Sequence, residues 1–421
     1  MTTVGGHRQP SRGAGRGSKR VVASFVLAGA AVLVAVLVCL GMASSSASPL
    51  SSRAGCGSDQ RPVTSRICAR RGSSLALRVA SVVEAQRRRY SLRSVVFGVW
   101  WHGAPLITGA IGSAYPGVPA MTGVHFRIGN TTETFESTLL LELVDRGKMR
   151  LTDRLSKWFP DLPDARQLTV EMLASSTTGY ANYVNNNAFV TRYHADPFRA
   201  WTPDELVQYG ISQPAGFRPG MSWAFSDTNF VILGEILAKV GGRPVSQQIQ
   251  KMILNPLRLR DTIMTPTAAI PAPVLHGYTA ERGVYEDSTF WSPSWVTYAA
   301  DMTSDLHDMG VWARALGRGS LLSAESRRAQ FAPTNVGKGK LTPSFYYGLG
   351  GGVANGWVLA TPRLMGYTGI VSDLPSKDLA VVVFTTSNPD APPGTHYAGA
   401  IFDRVGALLS PSSPPRYPAG P

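Results

Sequence analysis

The sequence predicts an α/β protein: an antiparallel sheet flanked by helices and drawn from both ends of the chain, with an all-α lobe inserted between its halves. Near the start, the runs SVVFGVWW (94–101) and PLITGAIG (105–112) are separated only by HGA and predict a hairpin. Near the end, NGWVLAT (355–361) and LAVVVFTTS (379–387) are again strand-like, and a helix is expected from about Thr395 to Leu409. Between them helical patterns dominate. A chain of 421 residues, 44% hydrophobic and 16% charged, is too apolar for wholesale disorder and lacks the bias of collagen or a coiled coil.

In chain order, residues 1–20 are a basic tail containing Arg8, Arg12, Arg16, Lys19 and Arg20 and no acid. Residues 21–43 are an uncharged apolar run, long enough at about 1.5 Å per residue to cross the roughly 30 Å hydrocarbon core of a bilayer. The flanking charge keeps the tail in the cytoplasm and places the rest outside, in a single-pass protein of the cell membrane. The alternative is a secreted protein cut from a signal peptide near Ser45-Ser46-Ala47, although the run exceeds the usual apolar length. Residues 44–71 are rich in Ser, Gly and Arg and are expected to be a linker; the folded domain is placed at 72–410 and a Pro-rich tail at 411–421. Cys56 and Cys68 lie on the exported side, where a local disulfide is chemically plausible.

Charge narrows the function. The net charge is +14, yet residues 1–100 hold 15 basic and 2 acidic side chains, whereas residues 101–421 hold 26 and 25. The excess sits beside the apolar run, so nucleic-acid binding is disfavoured and the membrane is the expected partner. Seven scattered His, with no HExxH and no CxxC, give no expectation of a metal or cofactor.

Inside the domain, Leu75, Val79, Val82 and Gln86 follow helical spacing. The stretch from Phe126 to Pro163 contains a helix whose apolar stripe is Phe135, Leu139, Leu140, Leu143 and Val144, stopped at Gly147 and expected to be buried. GLGGG (348–352) leads into a strand and so predicts a turn in place of a phosphate loop. No GxSxG is present, which removes an α/β-hydrolase elbow. Trp291, Trp295 and Tyr298 suit either a ligand groove or packing.

Further segments are VEMLASSTTGYANY (170–183), PGMSWAFSDTNFVILGEILAKVGG (219–242), NPLRLRDT (255–262), FWSPSW (290–295), SDLHDMGVWARAL (304–316) and MGYTG (365–369). In this order and spacing, over roughly residues 75–409, the chain resembles the serine beta-lactamase and penicillin-binding-protein superfamily, in the branch of class C beta-lactamases, DD-carboxypeptidases and related esterases. The resemblance implies a beta-lactamase/transpeptidase-like fold. It also implies three motifs: SxxK opening a buried helix, YxN or YxD in the helical lobe, and HTG or KTG on a sheet edge. Here they read Asn130-Thr131-Thr132-Glu133, Phe225-Ser226-Asp227 and Tyr367-Thr368-Gly369.

Such a site needs a hydroxyl nucleophile, an amine to take its proton, a phenol to relay it and two backbone N–H groups to hold the oxyanion. Asn130 is no nucleophile, Glu133 replaces a cation by an anion, Phe225 has no hydroxyl and Tyr367 lacks the imidazole or ammonium. The expected protein is an inactive member that binds a cell-envelope ligand or a protein partner. Its ligand-binding candidates are Asn130, Thr368, Gly369 and Ile370, with the N–H groups of Asn130 and Ile370 forming the surviving cradle. Asn130 and Glu133 also fit a capping box, Phe225 and Tyr367 fit aromatic packing, and Asp227 fits either a helix cap or a ligand contact. The rival expectation is an active esterase or peptidase with a displaced nucleophile, Thr131, Thr132 or Ser137, and Glu133 as base.

Overall fold

The computed structural model describes residues 55–416. The basic tail, the apolar run and part of the expected linker lie outside the described residues. Strands β1 (Gln60–Thr64) and β2 (Ile67–Arg70) precede the hairpin of β3 (Leu92–Trp101) and β4 (Ala104–Tyr115). The C-terminal part adds β5 (Phe345–Tyr347), β6 (Gly352–Ala354), β7 (Trp357–Ala360), β8 (Arg363–Leu364), β9 (Tyr367–Leu374) and β10 (Leu379–Ser387). The sheet order is β1-β2-β4-β3-β10-β9-β7-β6-β5, so strands from the two ends meet at β3 and β10. Their register, Leu379↔Trp101 through Thr386↔Ser94, is antiparallel.

The expected linker is therefore corrected: residues 60–70 belong to the sheet. Ile67, Cys68 and Ala69 are buried and pair with Gly109, Thr108 and Ile107 of β4. A Cys56–Cys68 disulfide ties the preceding segment to β2. The expected tail is corrected as well, because the carbonyls of Ser413 and Pro414 accept from the Trp357 indole and the Asn355 amide, so residues 411–416 pack against the β6–β7 turn.

Five helices position the core. Helix α1 (Ser74–Arg89) is capped by Ser73, whose hydroxyl accepts the Ala76 N–H, and it buries Ala76, Val79 and Val83. Helices α2 (Thr131–Asp145), α3 (Asp227–Gly241) and α4 (Leu306–Arg318) lie in the part inserted between β4 and β5, and α5 (Tyr397–Leu409) closes the domain. Helices α1 and α5 share a core with one face of the sheet through Val79, Val83, Val381, Ile401 and Phe402. The other face packs on α2, α3 and α4 through Val96, Phe126, Phe135, Leu139, Phe230 and Phe384.

Helix α2 is buried along nearly its whole length, from Thr131 to Leu143. Its predicted stripe is inside, with Val144 at the margin. The chain leaves the helix through Gly147, whose positive φ of 66° lets its N–H reach Val144 O while the Lys148 N–H reaches Leu143 O. Phe135 stacks on Trp312 of α4 with centroids 3.8 Å apart, and Thr134 Oγ accepts the indole N–H at 2.9 Å.

Candidate functional site

The site begins where α2 starts. The N–H groups of Thr131, Thr132 and Glu133 already donate to the carbonyls of Ile128, Gly129 and Asn130. No open donor is left for an Asn side chain to cap, and Asn130 makes no capping bond. The expected capping box is corrected on that ground. The freed amide of Asn130 donates instead to Glu133 Oε1 at 2.7 Å and to Asp227 Oδ1 at 3.2 Å, bridging two carboxyls from different helices.

Two residues that the motifs do not contain complete the network. Tyr347 donates its hydroxyl to Glu133 Oε2 at 2.9 Å, and Asn182 donates to Asp227 Oδ2 at 2.9 Å. Tyr347 is brought there by the GLGGG turn. A Cβ on Gly350 would lie 2.4 Å from Glu133 O, so only glycine lets this turn lie so close to α2. Asp227 is the first residue of α3, and its side chain is held by the two Asn amides; it is not the cap, a position taken by Ser226. Glu133 and Asp227 are 2% and 5% exposed.

Burial sets the protonation of this pair. It holds Glu133 well above the usual carboxylate range, the neighbouring Asp227 charge pushes the same way, and the donors Asn130 and Tyr347 oppose it. Asp227 is raised by burial against the pull of Asn182 and Asn130. Tyr347 is raised well above the ordinary phenol range by burial, then by Glu133. Deeper in α2, Glu136 is pushed up by burial and by Glu133, and neither of its oxygens has a hydrogen-bond partner among the described residues.

The third motif does not join this network. Strand β9 is not a sheet edge. Its partners Asp373↔Val358, Ser372↔Leu359, Val371↔Ala360, Thr368↔Arg363 and Tyr367↔Leu364 form one antiparallel register, and the Gly369 N–H donates to Pro362 O at 2.8 Å within it. Because N–H directions alternate along an antiparallel strand, the Ile370 N–H then faces Val383 on β10. The proposed oxyanion arm at Ile370 is thereby corrected to a ladder bond. The Thr368 hydroxyl is likewise engaged, with Thr385 Oγ1 at 2.8 Å and with the Ala398 N–H of α5. A Cβ on Gly369 would fall 2.5 Å from the Phe384 ring, so this glycine serves packing. Tyr367 is 2% exposed and donates to Leu275 O at 2.5 Å, against the wall formed by Gly277 and Thr289. Phe225 is half-buried beside Phe230, with ring centroids 6.4 Å apart.

Of the motif residues, the structure thus brings together Asn130, Glu133 and Asp227. The displaced-nucleophile candidates fare differently: Thr131, Thr132 and Ser137 are all 0% exposed, with Thr132 donating to Gly129 O and Ser137 to Thr134 O. Among the described residues, one group offers converging metal-ligand atoms, Asp305, His307 and Asp308. Asp308 is already occupied by the Asp261 N–H, the Thr262 hydroxyl and His307.

A family model described as Beta-lactamase matches residues 79–405. The chain belongs to the beta-lactamase family. Its solved structural neighbours include a D-stereospecific amidohydrolase from a Streptomyces species, 26% identical with a TM-score of 0.68, covering 74% of this chain and 94% of that one. Another is a D-amino acid amidase from Ochrobactrum anthropi, 23% identical with a TM-score of 0.70 over 81% of this chain and 100% of that one. A Bacillus subtilis relative named as a penicillin-binding protein is 26% identical over 267 residues. The match spans 63% of this chain and 63% of that relative. A Salmonella enteritidis relative named as a D-alanyl-D-alanine carboxypeptidase is 24% identical, covering 72% of this chain and 79% of its own. The beta-lactamase-family fold expected from the sequence is present, with its antiparallel sheet and flanking helices.

Proposed function

We propose that this beta-lactamase-family protein is a membrane-anchored, extracytoplasmic pseudoenzyme that binds a cell-envelope ligand or protein partner without acyl transfer. The observation that carries the proposal is Asn130. At the start of α2, where the family's motif places its hydroxyl, stands an amide fixed between Glu133 and Asp227. An amide nitrogen delocalised into its carbonyl does not attack an acyl carbon, and among the described residues neither an ammonium nor an imidazole joins the network to remove a proton. The closed edge of β9 supports the same reading, since oxyanion stabilisation depends on backbone donors aimed at a vacant position. Membrane attachment is supported by the uncharged run at 21–43 and the basic residues before it.

A second reading is supported by the relatives' names, which describe hydrolases and a carboxypeptidase: an active esterase or peptidase with a displaced nucleophile. Labelling separates the two. The full-length protein is treated with a fluorescent penicillin and with a fluorophosphonate probe, and adducts are mapped by mass spectrometry. The pseudoenzyme predicts no adduct. A stoichiometric adduct on Thr131, Thr132, Ser137 or any other hydroxyl refutes it and establishes the hydrolase.

A further inference from the structure

We propose that the exposed face of α1, together with the β1–β2 hairpin, is a docking surface for an anionic lipid bilayer. This rests on the membrane anchor proposed above. Residues 55–100 contain nine arginines and two acids, Asp59 and Glu84, whereas residues 101–421 are almost electrically balanced. The positive charge of the described domain is therefore concentrated in its first two strands, its first helix and the start of β3.

Part of that charge has a structural task. Arg66 and Arg70 donate to the carbonyls of Gly112 and Trp101, Arg87 pairs with Glu84, and Arg93 reaches the Tyr285 hydroxyl. The rest is exposed. On α1 the solvent-facing positions Ser74, Leu77, Arg78, Ser81, Ala85 and Arg88 recur every three or four residues, Arg89 adjoins them, and no acid lies on that line. Glu84, the acid of this helix, sits half-buried between Arg87 and Arg88. The hairpin adds exposed Arg61 and Arg71, which like Arg78 make no ion pair among the described residues. Leu77 and Val63 are 38% and 39% exposed among these cations, an apolar complement suited to a headgroup layer.

The occupant follows from charge and from chain connectivity. Residues 44–54 are all that separates the apolar run from the first described residue, and even fully extended they span only about 40 Å. A domain on so short a tether meets the bilayer at high effective concentration. Each Arg near an anionic surface contributes about fivefold to association, so Arg61, Arg71, Arg78, Arg88 and Arg89 together amount to roughly three-thousandfold.

The full chain is reconstituted into nanodiscs of phosphatidylcholine alone and of phosphatidylcholine with 30% phosphatidylglycerol. Arginine modification by phenylglyoxal is then followed site by site by mass spectrometry. Arg78, Arg88 and Arg89 are expected to react at least threefold more slowly in the anionic discs, with the difference lost in 0.5 M salt. Arg218 and Arg258 of the helical lobe are expected to react equally in both. The variant R78E/R88E/R89E is expected to lose the protection at Arg61 and Arg71. Retention of the chain in vesicles through an alkaline carbonate wash reports the anchor separately. A chain that is retained but modified equally in both lipids overturns the docking surface and leaves the anchor standing. One that washes off yet shows salt-sensitive protection refutes the anchor and supports the face.

Discussion

Replacing Asp373 by Asn is expected to change how the protein's stability depends on pH. Asp373 lies on β9, is 1% exposed, and has no hydrogen-bond partner on either carboxyl oxygen among the described residues. Burial pushes its pKa from 3.8 up to about 7; the Arg318 charge opposes this, Asp378 adds to it and Arg314 opposes it. A raised acid stabilises the fold fully below its unfolded pKa, and that contribution is lost as pH rises through the folded one. Between about pH 4 and pH 7 the unfolded chain has released a proton that the native state retains, so stability falls by about 1.4 kcal/mol per pH unit and by up to about 4 kcal/mol across the window. In D373N this slope disappears, while the buried amide costs about 1–3 kcal/mol at every pH. The variant should be the less stable protein at pH 4, and its disadvantage should shrink or reverse by pH 7. Urea unfolding of both proteins at pH 4, 5.5 and 7 measures the difference, with Asp301 and the other buried acids cancelling in the comparison. Parallel stability profiles would refute the reasoning, because they would mean that the carboxyl is not desolvated as its surroundings require.

Three further outcomes are expected. Asn130→Ala removes the donor shared by Glu133 and Asp227 and should cost about 2–3 kcal/mol in urea unfolding; unchanged stability would show that the bridge contributes nothing. Phe135→Ala empties the stack against Trp312 and should cost about 3–5 kcal/mol, read as an earlier denaturation midpoint. The combined variant N130S/E133K/F225Y/Y367H, provided its circular dichroism is native, should remain unlabelled by fluorescent penicillin, and a covalent adduct on Ser at 130 would show that the β9 edge opens on demand.

How much of this was legible in the sequence varied with how local the cause was. LAVVVFTTS is β10 to the residue, because a run of β-branched side chains buried on both faces needs no distant partner to announce itself. Strands β1 and β2 were hidden for the opposite reason. Three buried apolar residues among arginines give no periodic signal, and the strands are held by β4 and by a disulfide. The Asn130–Glu133 spacing is a correct local pattern whose outcome was decided elsewhere, by carbonyls already bonded to the first turn and by Asp227 across the lobe. Tyr347 meets Glu133 from 214 residues away, a contact that no spacing rule contains. The segment holding Asn182 and the turn that follows Tyr347 were visible, but neither residue type in its local context points to a buried acid.

Under the proposed pseudoenzyme reading, the backbone obstructs acyl transfer more firmly than the side chains do. Four substituted side chains can in principle be restored by four codons, and a site read from them alone remains one reversion series from activity. The register of β7 and β8 on β9 is a different kind of obstacle. It commits the Gly369 and Ile370 N–H groups to opposite neighbours within the sheet, and it leaves Tyr367 packed under Gly277, where a Cβ would meet the ring at 2.5 Å. Aiming one of those donors at a reacting carbonyl would require breaking the ladder over several residues, each with a net hydrogen bond of about 0.5–1.5 kcal/mol to replace. Restoring the nucleophile and its base without that rearrangement supplies attack but no second donor for the oxyanion, and loss of one such donor alone typically costs about 100- to 1,000-fold in turnover. Silence of the four-residue reversion toward penicillin therefore tests the backbone geometry itself, independently of which amino acids stand at the four motif positions.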